Sequence, residues 1–394
     1  MPEYTLLKDY VPHEKGLLYS SPCRGLWNIV HLATQVPGSH QIYVCPTSCL
    51  RGVVLTTAEM GCMDRLSTIT VGEDNILEGD LEETILKGTR KVLHTLERKP
   101  TVVFIFTSCI HHFMAANFLR VYKQLRKEFP DIAFVDAYMD PIMRKKTPPL
   151  PSLQRQVYRV LEKQEQLENQ CNFIDNWFSA EYNDIAENLK KHNVIVKDFS
   201  MQNDYTEYLD MAKSHVNFVF HPFGMLAAKD LYYRLQQDYV YLPIVYDYDA
   251  IDANTKEACS VMHIPSPTKA EIEEKRSHVE QAIERLKSTI GDTPISIDKS
   301  AIDCPISLAT YLIERGFIIE SIFLDGCNED LSKLKQLAPN IQVYDVEKCE
   351  MRLHDRTTRH KVLAIGQQAA YFCNTPYFVD CIFSAQMYGY AGIL

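Results

Sequence analysis

Residues 101–109 read Thr-Val-Val-Phe-Ile-Phe-Thr-Ser-Cys, and this stretch decides the fold. Its apolar residues are continuous rather than alternating, as in a strand covered on both faces within a parallel sheet. Upstream, residues 79–96 carry Leu81, Ile85, Leu86, Val92 and Leu93 at helical spacing, so a helix precedes the strand. Downstream, residues 113–129 are predicted as a helix and residues 132–137 as a second buried strand. Strand, helix and strand of these lengths form a βαβ unit, the connection that parallel strands require.

The alternation extends both ways. Residues 1–20 read as an extended arm and residues 26–33 as a helix. Residues 41–44 form a short buried strand that runs into Cys45-Pro46-Thr47-Ser48-Cys49 and a helix from Leu50. Thr147-Pro148-Pro149-Leu150-Pro151 breaks the pattern, and a polar helix is expected over 153–169. A second set follows, with strands at 171–175, 194–197, 216–220 and 239–245 and helices at 181–192 and 224–236. Residues 270–290 read as a long charged helix. The third set has strands at 295–297, 319–324, 341–344 and 361–365 and helices at 305–315, 329–337 and 377–388. The expected architecture is α/β, three Rossmann-like domains with parallel sheets, bounded at 1–165, 166–290 and 291–394.

Composition narrows the function. A chain of 394 residues exceeds one ordinary core. A net charge of −10 argues against a nucleic-acid surface, which is basic. No apolar run reaches the roughly 20 residues of a membrane helix. Met1-Pro2-Glu3-Tyr4 lacks the features of a signal peptide, so a cytoplasmic location is expected. Twelve cysteines are then unlike a disulfide framework and leave buried thiols or metal ligands. No Gly-x-x-x-x-Gly-Lys-Ser/Thr loop, Gly-x-Gly-x-x-Gly loop or Cys-x-x-Cys pair occurs, which argues against a P-loop ATPase, a dinucleotide enzyme and a structural zinc site.

Three cysteines stand out. Cys23 lies in Ser21-Pro22-Cys23-Arg24-Gly25, Cys49 ends the loop after the first strand, and Cys109 follows the strand at 101–106. Ligands of open parallel sheets bind at carboxyl strand ends, where Cys45, Cys49 and Cys109 fall. Iron–sulfur clusters are held by such converging thiolates. The bland alternative is that each thiol merely packs under its strand end. His111 and His112, beside Cys109, are candidates to tune a cluster or are simple loop histidines. Cys62 is a further candidate ligand in the same region; the remaining cysteines are scattered and read as ordinary thiols.

The order of Cys23, Cys49 and Cys109 resembles the cluster motif of the nitrogenase component 1 superfamily, which includes molybdenum–iron protein subunits and protochlorophyllide reductase-type subunits. Glu78-Gly79-Asp80-Leu81-Glu82 resembles its helix start between the second and third cysteines. Residues 216–221 resemble its middle-domain strand, and residues 364–372 with 387–390 its C-terminal segment. The resemblance implies a component-1-like fold and a nitrogenase-like oxidoreductase subunit. A separate P-loop iron-protein reductase would deliver low-potential electrons to an interface iron–sulfur cluster. Cys23, Cys49 and Cys109 would hold this cluster, either a [4Fe–4S] cluster or a larger one shared across a dimer. The fourth ligand would come from Cys45, a carboxylate or a partner subunit. The assembly would be a homodimer, or a heterodimer or heterotetramer with a paralogous component 1 subunit, with neither nucleic acid nor membrane as partner.

Two departures limit the chemistry. Where the nitrogenase catalytic subunit has a cysteine and a histidine on its iron–molybdenum cofactor, this chain has His221 and Tyr388. Both are candidate catalytic residues at a cavity, and their identity argues against dinitrogen as substrate. Their bland readings are a satisfied histidine and a core aromatic. The alternative function is a non-catalytic scaffold for metallocofactor assembly.

Overall fold

The computed structural model describes residues 4–11, 18–22, 29–139, 149–174, 182–198, 201–302, 304–326, 329–357, 361–379 and 387–394. The chain divides into two compact units. One draws on Met1–Leu26, Trp177–Asn193 and Pro243–Leu394, the other on Trp27–Asn176 and Val194–Leu242. The three parallel sheets expected from the sequence are present.

The first strand, β1 (Thr5–Leu6), belongs to the sheet built mainly from the end of the chain. The second unit carries two sheets. β2 (Ser39–Cys45), β3 (Leu66–Thr70), β4 (Val102–Ser108) and β5 (Ala133–Met139) are parallel, in the order β3-β2-β4-β5. β6 (Leu167–Phe173), β7 (Ile195–Lys197), β8 (Ser214–Val219) and β9 (Asp238–Tyr241) repeat this as β7-β6-β8-β9. Side chains alternate across β2 and β4 as strand geometry requires. Tyr43, Cys45, Phe104 and Phe106 enter one core, and Ile42, Val44, Val103 and Ile105 the other. Tyr43 and Phe106 stack with ring centroids 4.3 Å apart. The first core runs on through Leu153 and Val157 of the helix Pro149–Val157 to Val219 and Leu231, so one apolar layer serves both sheets of this unit.

The other unit holds a six-stranded sheet. β10 (Ile295–Asp298), β11 (Ile319–Leu324), β12 (Gln342–Asp345), β13 (Leu363–Ile365) and β14 (Phe378–Val379) join β1 in the order β1-β12-β11-β10-β13-β14. Only β1 runs antiparallel. Asp298, wholly buried at the end of β10, accepts the Ala369 N–H at 2.6 Å and the Ser300 N–H. Burial pushes its carboxyl pKa up, opposed by these donors. Asp184 accepts the Tyr390 N–H and receives Lys275 Nζ at 2.7 Å, so it clasps the helix Gly389–Ile393 to the helix Asp184–Lys191.

Four expectations are corrected. The helix expected over 113–129 is two helices, Cys109–Phe113 and Phe118–Glu128. Between them Ala115 takes φ 51°, and the Asn117 side chain accepts the Arg120 N–H at 3.1 Å, starting a new helix. The helix expected over 153–169 ends at Val157 and gives way to β6; it begins at Pro149, because proline suits a first turn whose N–H has no partner. The helix expected over 377–388 is not formed at its ends: Phe378–Val379 is β14 and Tyr388 precedes the helix Gly389–Ile393, while residues 380–386 lie outside the described residues. The helix expected from Leu50 starts at Thr47 and so takes in Cys49. β3 and the helix Tyr248–Val261 escaped the sequence reading. β3 is a half-exposed edge strand with little apolar pattern, whereas Asp247, capping Ala250 N–H at 3.0 Å, was a readable start signal.

One strand residue makes stability pH-dependent. His40 on β2 is 4% exposed, and its Nε2 lies 2.8 Å from Ser67 Oγ. Burial, helped by the neighbouring Arg65 charge, lowers its pKa from 6.5 to about 4. The unfolded chain therefore takes up a proton that the folded chain refuses as pH falls from 6.5 toward 4, and stability drops across that window. Between about pH 7.5 and about pH 5 this imidazole costs about 2 kcal/mol. Urea unfolding at the two pH values checks it: His40→Gln should flatten that part of the pH dependence, and an unchanged dependence contradicts the assignment.

Candidate functional site

In an open parallel sheet the crevice forms where successive strands leave in opposite directions, at their carboxyl ends. In the sheet β3-β2-β4-β5 the chain passes from β2 to β3 on one side and from β4 to β5 on the other. The switch point is therefore between β2 and β4, whose last pair is Val44 and Thr107. Cys45 and Ser108 follow in line, and the candidate cysteines hang from these two strand ends.

Pro46 turns the chain from β2 into the helix Thr47–Glu59, with Cys49 in its first turn. The Cys49 N–H donates to the Pro46 carbonyl at 2.9 Å. Cys109 is the first residue of the helix Cys109–Phe113. Cys49 is exposed and Cys109 half-buried, so both thiols lie within reach of a ligand. Cys45 differs. It is fully buried in the apolar core, and burial, with the nearby Cys49, pushes its thiol up to about 12. That environment resists forming the thiolate that binds metal. Cys23 lies outside the described residues. Among the described residues, no group of three or more His, Cys, Asp or Glu side chains is arranged to hold a metal ion.

The other candidates sort by position. Cys62 donates to the Met60 carbonyl at 3.3 Å beyond the far end of Thr47–Glu59, a helix about 20 Å long. The structure does not bring it to Cys49. His112 is exposed, while His111 is fully buried with Nδ1 3.3 Å from the Ser108 backbone nitrogen. Burial lowers the His111 pKa.

His221 stands just past β8, at the matching switch point of β7-β6-β8-β9. It is 4% exposed and its ring lies 3.9 Å from that of Phe223. Gly224 makes the turn possible, since a Cβ there would come within 2.5 Å of the Ile174 carbonyl. Tyr388, in the other unit, is 1% exposed and its hydroxyl accepts Asn254 Nδ2 at 2.7 Å. Its backbone pairs with Asn183. These contacts suit a core aromatic. Asp298 at the third switch point, between β10 and β13, was missed; a lone acid ending an apolar strand was the available signal.

A doubly wound α/β protein with cysteines at a switch point is a class with many members. The particular family is shown by its sequence model: the description "Nitrogenase component 1 type Oxidoreductase" matches residues 30–379, and the chain belongs to this family. Two solved structures are similar in fold. "Nitrogenase Cp1 at pH 6.5" aligns with a TM-score of 0.71 and 13% identity, covering 98% of this chain and 93% of that one. "Nitrogenase Cp1 at pH 5" aligns with a TM-score of 0.63 and 11% identity, covering 97% and 88%. No curated protein sequence matches the chain. No described helix is long and apolar enough to cross a membrane.

Proposed function

We propose that this chain is a subunit of a nitrogenase-like reductase. It accepts low-potential electrons, one at a time, from a P-loop iron–sulfur ATPase and passes them to a substrate other than dinitrogen. The observation that supports the reading is the placement of Cys49 and Cys109 just past the ends of two neighbouring strands at a switch point, in a chain of this family.

The donor set fits an iron–sulfur cluster. Cys49 lies exposed in the first turn of a 13-residue helix, where its sulfur is open to a ligand. Cys109 and Cys23 are assigned as the second and third ligands, and a partner subunit, either a second copy or a paralogue, as the source of the fourth. When bound, the cluster supplies storage and transfer of single electrons. The chain's own residues do the holding. Hydrogen bonding between β2 and β4 fixes the spacing of the two strand ends, and the layer of Tyr43, Cys45 and Phe106 excludes water from the inner face. His221 is assigned to proton delivery, since an imidazole can take up a proton at one ring nitrogen and give one from the other. Tyr388, whose hydroxyl accepts from Asn254 and keeps its own proton to donate, is the second candidate.

Iron and acid-labile sulfide are measured on protein purified without oxygen. Both should be present, with a brown colour that dithionite bleaches. A colourless, iron-free preparation overturns the reading. Rapid transfer of the bound metal to an acceptor apoprotein would instead support the scaffold function.

A further inference from the structure

We infer that His111 is a positioning residue for Cys109, acting through Ser108. The inference rests on the reading of Cys109 as a cluster ligand, but it stands on geometry of its own. Cys109 opens the helix Cys109–Phe113, so its orientation depends on how the chain leaves β4 at Ser108. Three polar atoms of Ser108 surround one nitrogen of His111. The backbone nitrogen and the carbonyl oxygen lie 3.3 Å from Nδ1, and Oγ lies 3.4 Å from it. This is the reach of a capping box, in which the third helical residue turns back to the N-cap. Glutamate or glutamine usually fills that position, and here a rigid ring does so.

The histidine is placed to work as a fixed brace. It is fully buried, whereas the adjacent His112 is exposed. Its ring packs 6.2 Å from Phe118, at the start of the next helix. Phe118 and Ile110 in turn lie against the core containing Val103 and Ile105. The brace therefore links the turn before Cys109 to the sheet's apolar layer. A side chain there with no polar atom for Ser108 would leave the first helical residue free to swing. The polar contacts of the His111 ring given above are to Ser108, so its influence on a cluster passes through the Ser108–Cys109 peptide.

The test uses metal-free protein, so it stands apart from any cluster assay. The alkylation rate of Cys109 by iodoacetamide is followed by peptide mass spectrometry, with Cys49 as internal reference. His111→Met removes the ring nitrogen while keeping an adaptable apolar side chain. It should raise the Cys109 rate about fivefold relative to Cys49, the scale of a lost cap. His111→Gln, which can reach back as a capping box does, should restore the wild-type ratio. Ser108→Ala, a smaller change that removes only Oγ, should move the ratio in the direction of His111→Met. Equal ratios in wild type, His111→Met and Ser108→Ala overturn the inference. So does a rise of both rates together, which signals general loosening, or a failure of His111→Gln to rescue. Absence of iron in the native protein would sink the cluster reading and leave this result untouched.

Discussion

A Cys109→Ala variant purified without oxygen should hold at least about tenfold less iron than the wild type while melting at nearly the same temperature. The thiolate is the ligand, and alanine offers nothing in its place. No described group of three or more His, Cys, Asp or Glu side chains is arranged to substitute for the site. Stability should change little because Cys109 is only half-buried and lies outside the apolar clusters. Cys62→Ala is the matched control. Its thiol lies past the other end of Thr47–Glu59, so iron should be retained. Cys45→Ala should behave in the opposite sense to Cys109→Ala: iron stays, and stability falls by about 1 kcal/mol, because a fully buried thiol leaves a small cavity. Iron analysis and thermal melts of the three variants read the pattern directly. Retained iron in Cys109→Ala would remove this residue from the ligand set, and lost iron in Cys45→Ala would put that residue into it.

Replacing Gly366 with alanine should destabilise the unit containing β10 and β13 by about 3 kcal/mol or more. Two costs add. The backbone at Gly366 has φ 114° and ψ 157°, a conformation that side chains other than glycine's hydrogen rarely tolerate. An added Cβ would also collide with the carboxylate of Asp298. That carboxylate has no room to retreat, since it already accepts the Ala369 N–H on one side and the Ser300 N–H on the other. Denaturant unfolding checks the size of the effect. A double variant with Asp298→Ala should lose less than the two single losses combined, because it relieves the collision. Strict additivity would mean that the backbone conformation alone sets the cost.

How much of this was legible beforehand depended on the kind of signal. Fully buried strands were plain. The run at 102–106 is apolar on both faces, as in a covered parallel sheet. Edge strands such as β3 were invisible, because Leu66-Ser67-Thr68-Ile69-Thr70 is half-exposed and carries no strong period. Helix breaks were readable only through caps. Asn117 marked one, but it was hidden inside an otherwise continuous pattern from Phe113 to Phe129. At the candidate site, the sequence placed Cys49 and Cys109 at strand ends but could not rank Cys45 against them. Only three residues separate Cys45 and Cys49, yet one ends a strand facing the core and the other lies in an exposed helical turn. Burial is a property of the folded sheet and not of spacing. The tie between Tyr388 and Asn254 was equally hidden, since the two lie 134 positions apart.

The clasp at Asp184 bears on the order in which the protein is made. The helix Asp184–Lys191 leaves the ribosome between stretches of the other unit, yet the backbone N–H that its first side chain accepts, from Tyr390, follows 206 residues later. At ordinary elongation rates that is a wait of roughly 10–40 seconds. During the wait, β2 to β9 already have all their strand partners, because that unit needs nothing beyond Leu242. The nascent chain therefore carries one finished body together with β1 and a helix that wait for the rest of their unit. Apolar residues Ile185, Ala186 and Leu189, buried in the final protein, have no helix of their own unit to pack on until Tyr248–Val261 has emerged, and the Tyr390 clasp comes later still. A chaperone that binds this protein during translation would find its target there.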